Sequence, residues 1–296
     1  MTSEILNIIT PVFVVAGIGF FLEYQRIGFH SETLSRLAMQ IGTPSLVFST
    51  LTGSALPDES LARIVAITVA AVILGGALAL AALLVLRLPW RTFLSSLSIP
   101  NAGNAGLPIV FFAFAEPGLA IGAAFYFTIS LVQYTTVPAI VTGDPSLRKL
   151  LRIPLVWAIV ALLFFRITDL PVPTVIADTT ALLGGLMIPV MLILLGAALA
   201  RLKVGDIGTS ALLACVRLAV GVATGLTLVT IFNLEGMEAG AIFLLTVMPS
   251  ALFTYLVAEH FGRNAERVAG LVVSSTVLNF ACLPLLITAA IFLAGL

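Results

Sequence analysis

Runs of about 20 apolar residues recur along the chain, separated by short clusters of charged residues, Pro and Gly. A run of that length crosses a hydrocarbon core of about 30 Å as a helix. The runs lack the apolar/polar alternation of a lipid-facing barrel strand, so strands are excluded. The pattern predicts ten spans: 5–25, 33–53, 61–86, 92–115, 117–141, 149–167, 174–199, 207–232, 237–260 and 265–294. Only Glu116, Pro117 and Gly118 separate spans four and five, which makes that connection tight. The first run begins close to Met1 with Glu4 and no basic residue ahead of it, which predicts a retained helix and not a cleaved signal.

Composition turns this pattern into a class. The chain has 296 residues, 60% of them hydrophobic and 9% charged, with mean hydropathy +1.18. A soluble chain carries roughly a quarter charged residues. The expectation is a multi-pass, all-α membrane protein whose solvent is the lipid bilayer, with no nucleic-acid partner. Cys215 and Cys282 lie inside apolar runs, which argues against a disulfide framework or a metal site, and no cofactor is expected.

Charge orients the spans. Arg26, Arg36, Arg87, Arg91, Arg148, Lys149, Arg152, Arg201, Lys203, Arg263 and Arg267 fall in alternate loops, and these are eleven of the fourteen Lys and Arg. Arg63 and Arg166 lie on the other side, and Arg217 falls within a span. The positive-inside rule places the odd-to-even loops in the cytoplasm and both termini on the extracytoplasmic side of the inner membrane. Prolines add an internal symmetry. Pro11 and Pro154 are 143 apart, Pro44 and Pro189 are 145 apart, Pro100 and Pro249 are 149 apart, and Pro138 and Pro284 are 146 apart. Near-constant offsets in helix order predict two five-helix repeats, residues 1–143 and 147–296, of inverted orientation, as in secondary transporters.

The densest cluster of breakers interrupts span four. "PNAGNAGLP", Pro100 to Pro108, holds two prolines, two glycines and two asparagines. Pro100 and Pro108 remove backbone donors, and Gly103 and Gly106 admit unusual conformations. The stretch predicts a non-helical crossing between half-helices 92–99 and 107–115. Its freed backbone must line a protein-enclosed cavity near mid-membrane. The second half-helix presents its amide end there, which attracts anions, and Asn101 and Asn104 add neutral donors and acceptors. In span nine, "LLTVMPSALFTYL", Pro249 interrupts the helix and Ser250 is a candidate cap for the half that follows. Two broken helices, four and nine, would cross at one point.

These features resemble the auxin efflux carrier family. The resemblance rests on "PNAGNAGLP", on "MPSALFTYLVAEHFG" in span nine and on the 5+5 layout, and it covers the whole chain. It implies a scaffold of spans 1, 2, 6 and 7, homodimeric through spans 2 and 7. It also implies a mobile transport domain of spans 3–5 and 8–10 that moves like an elevator. Asn101, Asn104 and Pro108 match the family's first crossover and Pro249 its second. Plant members carry a long cytoplasmic loop between the halves. Here only "TGDPSLRK" stands there, as in short bacterial-type members associated with small carboxylates.

Three further positions are candidates, and two glycine pairs stand beside them. Arg217, mid-span in "LLACVRLAVGVATG", either holds a carboxylate or plays a structural part, snorkelling toward the cytoplasmic face or packing on backbone carbonyls. Asn279 and Gln133 either line the cavity or make interhelical hydrogen bonds. Gly118–Gly122 and Gly221–Gly225 have the spacing of close helix packing. The resulting expectation is a secondary-active carrier for a small organic anion, a mono- or dicarboxylate. Its substrate-binding set is Asn101, Asn104, Gly106, Pro108, Gln133, Arg217, Pro249, Ser250 and Asn279. Three alternatives stand beside it: a channel, an intramembrane enzyme, and a sodium-coupled symporter like those for bile acids. The enzyme lacks its usual motifs, since neither HExxH nor GxSxG occurs.

Overall fold

The computed structural model describes residues 2–27, 30–142, 151–202, 205–262 and 264–296, and among them every regular element is helical. In chain order these are α1 Thr2–Tyr24, α2 Ser31–Leu37, α3 Thr43–Gly53, α4 Asp58–Val85, α5 Trp90–Ser98, α6 Leu107–Thr142, α7 Pro154–Thr168, α8 Thr174–Gly185, α9 Met187–Arg201, α10 Ile207–Ile231, α11 Gly236–Val247, α12 Leu252–His260 and α13 Ala265–Leu293. One wide π turn, Ala38–Gly42, joins α2 to α3, and another, Ala102–Gly106, leads into α6. Among the described residues six stretches are long and apolar enough to cross a membrane: Ile5–Tyr24, Asp58–Val85, Ala102–Ile140, Thr174–Arg201, Ile207–Ile231 and Ala265–Leu293. The boundary between the expected repeats, with "TGDPSLRK", Arg148 and Lys149, lies outside the described residues apart from Thr142; so do Lys203 and Arg263.

The stretch 102–140 is not one rod. Ala115 has φ 52° and ψ −151°, which no helix accommodates, and the chain reverses there. Gly122 then faces the Leu107 side chain, 3.0 Å from where its Cβ would stand, and Gly118 faces the Val110 carbonyl at 3.1 Å. Residues 107 and 122 would be about 22 Å apart in a straight helix. The small faces of Gly118 and Gly122 let the two arms of this hairpin close.

The helices pack in two groups. In one, α1 lies along α9, and α3 packs on α7 and α8. Gly196 faces the Ala16 carbonyl and Gly19 the Ile193 carbonyl, so α1 and α9 touch backbone to backbone. In the other, α10 packs on α4, α11 and α13, α6 packs on α4 and α11, and α12 on α13. The groups meet where α3 reaches α6 and where α9 reaches the 102–106 turn. Large apolar side chains such as Ile73, Val85, Val175 and Phe292 remain exposed on the outside, as a lipid solvent requires.

Candidate functional site

Two pre-proline residues create the site. A residue before proline is pushed out of the helical region. Ile99, before Pro100, has φ −96° and ψ 111°, and Met248, before Pro249, has φ −57° and ψ 153°. Helices α5 and α11 therefore end there, and the two extended breaks pair as an antiparallel bridge at Pro100 and Ser250. The Asn101 N–H donates to the Pro249 carbonyl at 2.8 Å, and the Ala251 N–H donates to the Ile99 carbonyl at 3.1 Å. Each break satisfies backbone groups that the other has freed, which is what a lipid environment demands.

The non-helical crossing is shorter than the sequence predicts. It does not fill 100–106: the chain turns helical again at Ala102, and α6 starts at Leu107 as expected. The cause is Asn101, whose Oδ1 accepts the Asn104 N–H at 3.2 Å while its carbonyl accepts the Gly106 N–H at 3.0 Å. Pro108 falls in the first turn of α6, where a missing N–H costs least. Gly103 and Gly106 serve by close approach and not by unusual φ, since neither has positive φ. A Cβ on Gly103 would stand 2.7 Å from the Tyr126 ring, and one on Gly106 would stand 2.9 Å from Leu245. Ser250 does not cap α12. Its Oγ is buried without a partner, and the α12 N-cap is Ala251, which has no side-chain bond to offer. The Ser250 N–H instead donates to Ser275 Oγ at 3.1 Å.

A cavity of about 80 Å³ lies against the crossing. Pro100, Asn101, Gly103 and Asn104 form one wall, and Ala251 and Leu252, at the start of α12, form another. Gln133, Tyr126 and Tyr134 of α6 close it, together with Ser35 and Thr43 from the first helix group. Both restarting helices thus bring their amide ends to this space. Asn101 Nδ2 is buried and has no hydrogen-bond partner. A wider cavity of about 260 Å³ adjoins at Asn104 and reaches Glu32, Arg36 and Arg201. That end carries the residues expected in cytoplasmic loops.

The carbonyl ends are turned elsewhere. Arg217, on α10, is fully buried behind the crossing, in a small space bounded by Ser98, Pro100, Thr224 and Thr246. Its guanidinium donates to the carbonyls of Leu97 at 3.3 Å, Thr246 at 2.9 Å and Met248 at 2.8 Å. Of its two expected roles, the structure places it on carbonyls and outside the lining of the 80 Å³ cavity. Asn279 is also behind: its Nδ2 donates to the Val247 carbonyl at 2.7 Å. Gly221 and Gly225, one and two turns beyond Arg217, make these reaches possible. A Cβ on Gly221 would stand 2.7 Å from the Thr246 carbonyl, so only glycine lets α10 lie this close to α11.

The structure therefore brings Asn101, Asn104 and Gln133 together at one cavity, with Pro100 and Gly103. It places Gly106, Pro108, Pro249, Ser250, Arg217 and Asn279 around the crossing but outside that lining. Tyr126 and Tyr134 line the cavity and were not singled out by sequence. Their signal is a polar face on α6: Tyr126, Ser130, Gln133 and Tyr134 fall at helical spacing in an otherwise apolar run.

Residues 140–288, half of the chain, match the model of the family described as "Membrane transport protein". The chain is also 26% identical over 272 residues to a protein of Methanothermobacter thermautotrophicus described as an "Uncharacterized transporter", covering 86% of this chain and 87% of that one. A multi-pass helical chain with two paired helix breaks and this match belongs to the membrane transport protein family, that of the auxin efflux carriers.

Proposed function

We propose that this membrane transporter is a secondary-active carrier for a small organic anion, a mono- or dicarboxylate. The observation that carries the reading is the sorting of helix ends at the crossing. Two amide ends, at 102–106 and at α12, border the cavity, while the two carbonyl ends, of α5 and α11, face Arg217. Each amide end carries about half a positive charge, and the negative ends are offset by a guanidinium. The cavity is left with a positive field and with neutral donors on Asn101, Asn104 and Gln133. A carboxylate entering it meets fixed donors that replace part of its hydration. A cation meets no side-chain carboxylate there, since no Asp or Glu is among the lining residues of the 80 Å³ cavity, and it faces amide ends in place of carbonyl ends.

The layout supports two inverted five-helix repeats, 1–143 and 147–296, with Pro100 and Pro249 at equivalent breaks. The packing groups support a scaffold of spans 1, 2, 6 and 7 and a transport domain of spans 3–5 and 8–10. In that reading the protein sits in the inner membrane with both termini outside, the wider cavity opens to the cytoplasm, and an elevator-like shift of the transport domain carries the substrate across. Spans 2 and 7 would form the homodimer contact.

Counterflow in proteoliposomes tests the function. Vesicles loaded with an unlabelled carboxylate are given the same carboxylate with a radiolabel, over a panel from acetate to malate. A carrier gives saturable uptake with transient overshoot for at least one member. Non-saturating flux without overshoot would assign a channel.

A further inference from the structure

The carbonyl ends of two broken helices converging in a membrane protein form a natural site for a monovalent metal cation. Here the carbonyls of Leu97, Thr246 and Met248 converge from α5 and α11, and the Arg217 guanidinium already sits among them. We propose that Arg217 is a tethered counter-cation: it fills the carbonyl cluster that would otherwise take a sodium ion, so the crossing is stabilised without any bound metal cation. For the transport cycle this means a carrier that is not sodium-coupled at its crossing, a consequence that rests on the carrier reading above. The occupancy of the carbonyl cluster does not.

Three features carry the inference. First, the charge balances. Among the described residues Arg217 has no carboxylate partner, unlike Arg36, Arg63 and Arg166. Its unit charge matches the roughly half negative charge at each of two carbonyl ends. Second, the fit is built. Arg217, Gly221 and Gly225 share one face of α10, and the two glycines let that face press on Phe243, Thr246 and Val247 of α11. A guanidinium always carries its charge and presents a rigid fork of donors, which suits several carbonyls at once. Third, a further carbonyl is also taken. Val247 accepts from Asn279 Nδ2 at 2.7 Å, so three consecutive carbonyls at the end of α11, of Thr246, Val247 and Met248, already hold side-chain donors. A sodium ion arriving there would meet four carbonyls already engaged and a like charge.

Thermal unfolding in detergent tests the occupancy with no organic anion present, so the outcome does not depend on the substrate reading. Wild type, Arg217→Lys and Arg217→Ala are melted in sodium chloride, potassium chloride and choline chloride at equal ionic strength, and in choline chloride with low-millimolar guanidinium chloride. Wild type and Arg217→Lys, both with a tethered cation, should melt at the same temperature in all salts. Arg217→Ala should melt lower in choline, and sodium or guanidinium should restore it saturably, by about 3 °C or more at saturation. A saturable rise of wild-type Tm with sodium over choline would overturn the proposal, whether or not the alanine variant folds. So would a folded Arg217→Ala whose Tm is indifferent to all three added cations. Loss of carboxylate counterflow with an intact cation pattern would instead sink the carrier reading alone.

Discussion

Replacing Gly221 by alanine should destabilise the protein, although the same change on a lipid-facing helix normally helps. Alanine exceeds glycine in helix propensity by about 1 kcal/mol. At position 221 the added Cβ would stand 2.7 Å from the Thr246 carbonyl and 2.9 Å from Val247 Cα. Both are backbone atoms of α11 and cannot rotate aside. Forcing the helices apart costs about 1–3 kcal/mol. It also draws the Thr246 and Met248 carbonyls from Arg217, and each bond to a charged group contributes about 1.5–3 kcal/mol. Even partial loss leaves a net cost of about 2 kcal/mol, or a fall in Tm of about 4 °C. Gly76→Ala on α4 is the control, because its Cβ would meet nothing within 4 Å. Thermal melts followed by intrinsic fluorescence should show Gly221→Ala below wild type and Gly76→Ala at or above it. An unchanged or higher Tm for Gly221→Ala would refute the claim that α10 and α11 touch backbone to backbone.

Further outcomes follow from the same contacts. Asn104→Ala should abolish carboxylate counterflow with little change in Tm, because the half-buried side chain faces the cavity. Asn101→Ala should lower both, because its Oδ1 also accepts the Asn104 N–H that starts the helix; equal melting of the two variants would argue against that cap. Ala115→Gly should raise Tm, since φ 52° with ψ −151° strains any side chain by about 1–3 kcal/mol. Asp206 lies at the exposed start of α10, where Thr209 donates from Oγ1 at 2.6 Å and from its N–H at 3.0 Å, holding the carboxyl below its usual pKa. Its contribution is present above the unfolded-state value of about 3.9 and is lost as pH falls through the lower folded value. Tm measured from pH 6 to pH 3 should therefore fall more steeply in wild type than in Asp206→Asn, and parallel curves would deny the cap a role.

The helix breaks at Pro100 and Pro249 are legible in the sequence because proline acts locally: it removes a donor and extends the residue before it. The reversal at residues 115–118 is legible for the same reason. The length of the first break is not, because it depends on whether the Asn101 side chain turns back to the Asn104 N–H, a choice between two conformations that composition does not distinguish. Ser250 misleads in the same way. Serine favours caps, but here Ser275 on α13 engages its backbone N–H and the hydroxyl goes unused. Arg217 reads from sequence as an expensive charge with two roles. Only the approach of α11, permitted by Gly221 and Gly225, decides which groups the guanidinium reaches. Tyr126 and Tyr134 escape notice because tyrosine is an ordinary resident of apolar helices, and its polar face emerges only when Ser130 and Gln133 are counted with it.

Ligand-dependent melting of the purified transporter tests the anion site most directly. Acetate, malonate, succinate and malate are titrated against wild type and Asn104→Ala, with ethylamine and putrescine as cationic counterparts, all at constant ionic strength. The account predicts that at least one carboxylate raises wild-type Tm saturably, that Asn104→Ala loses the effect, and that neither amine acts. A saturable rise with an amine and none with any carboxylate would contradict it.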